Sequence, residues 1–229
     1  MPRYKYFDWF VNAFVAVLIV SNIVAPKLVA IGDLRISAAL ALFPITYIFG
    51  DVFTEVYGYA ASRRAIWAGF GASILMAAIS AFAIALPPAP GWTGQDKYVA
   101  VLGVVPRAVA GSLLAYWCGE FANSFVMAKM KLATQGRHLW MRTIGSTVVG
   151  QLVDTTIVII AIFAGNVDWP TIFTLIVSGY VFKVIYEAIM TPFTYLVVNF
   201  LKRAEGIDTF DAGTDFNPFH PNTTSKDAA

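Results

Sequence analysis

Apolar residues fall along this chain in six stretches, at positions 7–31, 36–57, 65–86, 105–128, 143–164 and 172–201. Each is near the roughly 20 residues that a helix needs to cross the hydrocarbon core of a bilayer. Polar punctuation separates them. Pro87-Pro88-Ala89-Pro90-Gly91-Trp92 opens the longest connection, and Gly165-Asn166-Val167-Asp168-Trp169-Pro170 reads as a tight turn carrying an interfacial aromatic. The first stretch is too long for a removed leader and lacks its small-residue cleavage pattern, so it reads as a retained helix. After Arg203 the composition turns polar. The pattern therefore predicts an all-α integral membrane protein: a six-helix transmembrane domain over residues 1–203 and a polar tail over 204–229, expected to be disordered.

Composition agrees and narrows the class. Of 229 residues, 58% are hydrophobic and only 13% charged, against about a quarter charged in soluble domains. With a mean hydropathy of +0.67, this excludes a soluble globular enzyme and a disordered protein. A net charge of +2 excludes a nucleic-acid binder driven by bulk charge. The single cysteine, Cys118, excludes an intrachain disulfide and a cysteine metal cage, and neither cofactor nor metal is predicted.

Basic residues set the expected orientation. With the N-terminus in the cytoplasm, Arg3, Lys5, Arg63, Arg64, Lys129, Lys131, Arg137, Arg142, Lys202, Arg203 and Lys226 lie inside, while only Arg35 and Lys97 lie outside. That asymmetry follows the positive-inside rule and places both termini in the cytoplasm, in a multi-pass protein of the inner (plasma) membrane.

Lys27, Arg107 and Lys183 are left over, and with Asp51, Glu55, Glu120, Asp154 and Glu187 they fall within or near the ends of the spans. A charge at a helix centre costs about 2.5–3.5 kcal/mol on insertion scales, so it is kept when paired, hydrated or used. Spacing groups the polar positions into faces: Asp51 with Glu55; Tyr116 with Glu120 and Asn123; Thr147 with Gln151 and Asp154; Lys183 with Glu187. Asn22 and Lys27 add polar positions to the first helix. Only the third stretch has no ionisable residue in its body, and its Gly69, Gly71 and Ala72 suit close packing or self-association into a homodimer. Polar faces on five helices imply a central polar site near mid-membrane, walled by aromatics among Phe43, Tyr47, Phe53, Tyr57, Tyr116, Phe121 and Tyr186. Pro26, Pro44 and Pro192 interrupt the helices and would expose backbone groups there. Blander readings stand beside these. Lys183 and Glu187 can pair within one helix, Arg107 can snorkel to the interface, and Glu55 can sit at the cytoplasmic rim.

The same residues occur in an order that resembles the queuosine precursor transporter family, also called the vitamin uptake transporter family. Ser21-Asn22-Ile23 with Lys27, Phe43-Pro44-Ile45-Thr46-Tyr47-Ile48, and Asp51-Val52-Phe53-Thr54-Glu55-Val56-Tyr57-Gly58 carry the first half of the likeness. Gly119-Glu120-Phe121-Ala122-Asn123-Ser124, Arg142-Thr143-Ile144-Gly145-Ser146-Thr147 with Gln151 and Asp154, then Lys183 and Thr191-Pro192, carry the second. The likeness spans about residues 10–203, with one departure: some members carry Gln and Asp where this chain has Glu120 and Asn123. The resemblance implies import of 7-deazaguanine precursors of queuosine, the 7-cyano and 7-aminomethyl bases, by alternating access around a midplane site. It also implies a fold similar to the substrate-binding subunits of energy-coupling-factor transporters.

For such a ligand a carboxylate can accept from the N1–H and 2-amino edge, and an amide can address O6 or the exocyclic group. Glu120 or Asp51 is the expected edge reader, with Asn22, Asn123 and Gln151 as amide partners. Lys27 would neutralise a carboxylate, and Asp154 would anchor the fifth helix. Tyr47, Glu55, Tyr116, Lys183 and Glu187 complete the expected binding set. Two other classes stay open. A binding subunit would need a separate ATPase chain, since no Gly-x-x-x-x-Gly-Lys-Ser/Thr loop occurs here. An intramembrane enzyme would use Asp51 and Asp154 as acid and base; it is disfavoured by the absence of Gly-x-Gly-Asp, His-Glu-x-x-His or a Ser-His pairing within the spans.

Overall fold

A computed structural model describes residues 4–24, 27–31, 34–165 and 168–219. Among the described residues, seven α-helices follow one another, with a single two-stranded hairpin between the first two: α1 (Phe7–Val24), β1 (Leu28–Ile31), β2 (Leu34–Ser37), α2 (Phe43–Val52), α3 (Tyr59–Ala85), α4 (Gln95–Leu102), α5 (Val104–Ala133), α6 (Leu139–Phe163) and α7 (Trp169–Glu205). Four of them, α1, α3, α6 and α7, are long and apolar enough to cross a membrane. At 30 residues α5 has ample length, while its charges and small residues make it less apolar. The chain is a multi-pass membrane protein, and its outward surfaces carry Leu75, Ile79, Phe82, Leu114, Ile189 and Leu196, the inverse of a soluble fold.

Helix ends follow local chemistry. Asp168 caps α7 by accepting from the Thr171 amide (3.2 Å) and hydroxyl (2.8 Å), and these bonds hold its carboxyl below the usual range. Leu86, extended before Pro87, ends α3. Gly206 ends α7 in the left-handed conformation at φ 71°.

The first two expected spans need correction. Helix α1 stops at Val24, and the apolar run beyond it becomes the antiparallel hairpin pairing Leu28 with Ser37 and Ile31 with Leu34. Lys27 thus lies outside the helix, exposed between α1 and β1. Helix α2 starts at Phe43 rather than at residue 36, with Pro44 in its first turn, and continues as a π-helical turn over Phe53–Tyr57. Of the expected tail, residues 206–219 are described and bond to the helices through Asp208 and Asp211, while 220–229 lie outside the described residues.

The residues just before α1 meet the end of α7. The Lys5 and Tyr6 amides donate to the Glu205 carboxylate at 2.8 and 2.7 Å, and the Tyr57 hydroxyl joins them at 3.0 Å. At this same end Asp211 accepts from the Tyr59 amide at the start of α3 (3.0 Å), Arg63 donates to the Asp215 and Asn217 carbonyls, and the Trp67 indole donates to the Pro218 carbonyl.

Helices α5 and α6 run antiparallel in close contact, and glycine makes this possible. A Cβ on Gly119 would sit 2.7 Å from the Asp154 Cβ, and one on Gly150 would sit 2.7 Å from the Asn123 Cβ. Any larger residue would force the helices apart.

Candidate functional site

The close α5/α6 seam carries Glu120 and Asn123 on one helix and Gln151 and Asp154 on the other. A third backbone meets them. A Cβ on Gly50 of α2 would lie 2.8 Å from Glu120 Oε2 and 3.8 Å from Asn123 Nδ2, so this glycine admits both side chains. One residue on, Asp51 is fully buried and accepts from Asn123 Nδ2 at 2.9 Å. Helix α7 supplies Glu187, 1% exposed, close enough to act electrostatically on both Asp51 and Glu120. Beside it, Thr191 returns its hydroxyl to the Glu187 carbonyl at 2.8 Å, in the turn where Pro192 removes a helical donor.

The distinguishing property of this group is what it lacks. Seven buried side-chain polar atoms have no partner among the described residues, and six of them are here: Asp51 Oδ2, Glu120 Oε2, Asn123 Oδ1, Gln151 Oε1 and both Glu187 oxygens. All six are oxygens that can accept. Buried polar atoms are normally paired, and leaving one unpaired costs about 1–3 kcal/mol. A group of six unpaired acceptors is complementary to a ligand rich in N–H donors.

Lys183 borders this group and is already engaged. Its ammonium bonds Asp154 at 2.6 Å and Thr155 at 3.2 Å, and lies 5.6 Å from the Tyr47 ring centre. The pairing is between α6 and α7, not with Glu187 along α7; a lysine N-terminal to a glutamate is the weaker intrahelical arrangement. Tyr47 is therefore at the site. Asp51 and Asp154 do not form a carboxyl dyad, because Asn123 and Lys183 take them separately.

Four expected residues do not join this group. Glu55, a helical turn from Asp51, is buried in a network of cations: Arg142 Nη2 at 2.7 Å and Nε at 3.1 Å, Lys202 at 2.6 Å, and Lys131 at 3.6 Å. Asp208 of the tail completes it, 2.5 Å from Lys131 and 2.8 Å from Lys202. Tyr116 turns its hydroxyl to the Ile66 carbonyl of α3 at 3.5 Å and packs against Gly69. Asn22 donates back to Leu18 of its own helix at 3.0 Å. Lys27 is exposed in the connection to the hairpin. The Arg107 and Phe43 side chains lie outside the described residues.

The expected aromatic wall mostly does other work. Phe53 and Tyr57 pack edge-on against Phe7 between α1 and α2, and Phe121 packs with Trp117 and Tyr59. Gly69 is consumed inside the chain, against Tyr116, Phe14 and Leu18, whereas Gly71 faces open space. Sequence reading missed the glycines Gly50, Gly119 and Gly150 as the means of approach. It also gave Lys131, Arg142 and Lys202 no part in pairing with Glu55.

Comparison with known proteins bears on this arrangement directly. Residues 37–197, a segment that contains every member of the acceptor group, match the family model described as "Putative vitamin uptake transporter". The chain belongs to this family of transporters. A relative from Bacillus subtilis (strain 168), described as "Probable queuosine precursor transporter", is 27% identical over 176 residues, covering 76% of this chain and 77% of the relative. No solved structure matches.

Proposed function

We propose that this transporter imports 7-deazaguanine precursors of queuosine across the inner membrane. The observation that carries the reading is the cluster of six buried acceptor oxygens without donors around Asp51, Glu120, Asn123, Gln151 and Glu187. A guanine-like edge presents N1–H and a 2-amino group, so it supplies the missing donors, while Tyr47 offers an aromatic surface beside them. A base lacking the 2-amino donor leaves an acceptor unpaired and is rejected. The name of the Bacillus relative supports the same substrate class.

In this reading the chain crosses the membrane six times, with α2 as a short crossing element and both termini in the cytoplasm. The support is that Arg63, Lys131, Arg142 and Lys202 gather at the end of the bundle where Lys5 meets Glu205. The Glu55 network then closes the cytoplasmic end, and alternating access to the acceptor group requires it to loosen.

The test is rescue of queuosine-modified tRNA in a host lacking both precursor synthesis and its own importer, at limiting external precursor. The expected result is rescue by the wild-type chain and loss of rescue in Asp51→Ala and Glu120→Ala. No rescue by a well-expressed wild-type chain overturns the substrate assignment. Rescue undiminished in both variants overturns the site.

A further inference from the structure

The six free acceptors divide between two places. Glu120 Oε2, Asn123 Oδ1 and Gln151 Oε1 belong to the α5/α6 seam. Asp51 Oδ2 and the two Glu187 oxygens belong to α2 and α7, where the two carboxyl groups lie within hydrogen-bonding reach of one another and neither has a donor among the described residues for these oxygens. Three acidic side chains, 0%, 4% and 1% exposed at Asp51, Glu120 and Glu187, thus share one region. The cation bordering it, Lys183, is bonded to Asp154 and Thr155. Arg142, Lys131 and Lys202 are bonded within the Glu55 network one turn away. Among the described side chains the region is therefore short of positive charge as well as of donors, and buried negative charge without a counter-ion is unfavourable.

We propose that the Asp51/Glu187 pair is a subsite for a primary ammonium group, so that this chain selects a cationic 7-aminomethyl base over its neutral 7-cyano counterpart. The inference rests on the substrate reading given above and adds the charge of the preferred ligand. An ammonium carries three N–H donors, and the pair presents three free oxygens. Hydrogen bonds between charged partners are the stronger kind. The seam acceptors then take the donors of the ring edge. A nitrile has no donor and no charge, so it would leave Asp51 Oδ2 and both Glu187 oxygens as they are.

The test is competition. The full-length transporter in vesicles takes up radiolabelled 7-aminomethyl-7-deazaguanine, and unlabelled 7-aminomethyl and 7-cyano bases compete. The expected result is that the aminomethyl base competes at a concentration lower by about tenfold or more. In Glu187→Gln, whose amide keeps the shape but drops the charge, this advantage shrinks to about threefold or less because aminomethyl affinity falls further than cyano affinity. Equal competition by the two bases in the wild type, or a Glu187→Gln loss that is the same for both, overturns the ammonium subsite and leaves the substrate class standing. Failure of both bases to compete, with folded protein in the vesicles, overturns both readings.

Discussion

Helix α2 carries two buried carboxylates one turn apart that have opposite surroundings. Glu55 meets cations from three other helices: Arg142 from α6 holds it through two nitrogens, and Lys131 from α5 and Lys202 from α7 complete the set. Those cations are saturated in turn. Lys131 also bonds the Glu55 and Thr209 carbonyls, and Arg142 Nη1 reaches the Thr134 hydroxyl and the Arg137 carbonyl. Asp51, by contrast, has one amide donor and faces further carboxyl groups. Completeness at Glu55 means that its bonds are internal to the fold. Incompleteness at Asp51 leaves Oδ2 with no such internal partner among the described residues, which is the property the proposed substrate would use. Burial alone does not separate a structural charge from a binding charge; the count of satisfied atoms does.

Mutation can break this contrast. Glu55→Ala leaves Arg142 and Lys131 buried without their counter-ion and is expected to cost about 3–5 kcal/mol, read as a large fall in the thermal midpoint in detergent. Glu187→Gln, on the other side of the comparison, is expected to leave that midpoint unchanged or raised while uptake of aminomethyl base falls. Equal destabilisation by both would erase the distinction.

A smaller effect is expected at the seam. Gly150→Leu puts a side chain where the Asn123 Cβ already lies 2.7 Å from an added Cβ, and overpacking of this kind costs about 1–3 kcal/mol. Because Asn123 moves with it, uptake should fall by more than stability alone accounts for. Gly71→Leu, on the open outer face, is the control and should change neither.

The smallest effect sharpens the paired side through pH. Burial alone would raise the Asp208 carboxyl, but the bonded ammonium groups of Lys131 and Lys202 overcome this and hold it below its ordinary 3.8. A carboxyl lowered in the folded state contributes stability that is complete above the unfolded value and is lost as pH falls through the folded one. Burial raises the Asp211 carboxyl against the opposing Tyr59 amide, so its contribution runs the other way and favours docking as pH falls. Limited proteolysis of residues 206–219 should therefore stay slow from pH 7 to about 4 and accelerate below 3.8. Asp208→Asn should be cleaved faster already at pH 7.

Much of this was legible in the chain. Apolar length placed α3, α5, α6 and α7, because a long unbroken run has few alternatives in a bilayer. The first two stretches overran because Leu28–Ile31 and Leu34–Ser37 are apolar enough to read as helix, and hydropathy does not separate a short hairpin from a continuing helix. At the candidate site, spacing singled out Asp51, Glu120, Asn123, Gln151, Asp154 and Glu187, which the fold gathers where α2, α5, α6 and α7 meet, since a polar residue inside a span needs a reason wherever it lies. It misassigned Glu55 because an interval of four fixes the face of a helix and not which residues of other helices stand at that depth. Arg142 and Lys202 are 87 and 147 residues away in sequence, a separation over which no local pattern carries information.

Those separations also order the protein's birth. A ribosome adding about 5–20 residues per second makes Glu55 roughly 7–30 seconds before Lys202. For the whole of that interval Glu55 lacks the last of its cations, Lys202, although Lys131 and Arg142 are made 76 and 87 residues after it. Its final seating therefore waits for α7, and a chain arrested before Lys202 lacks one of the cations that pair with Glu55.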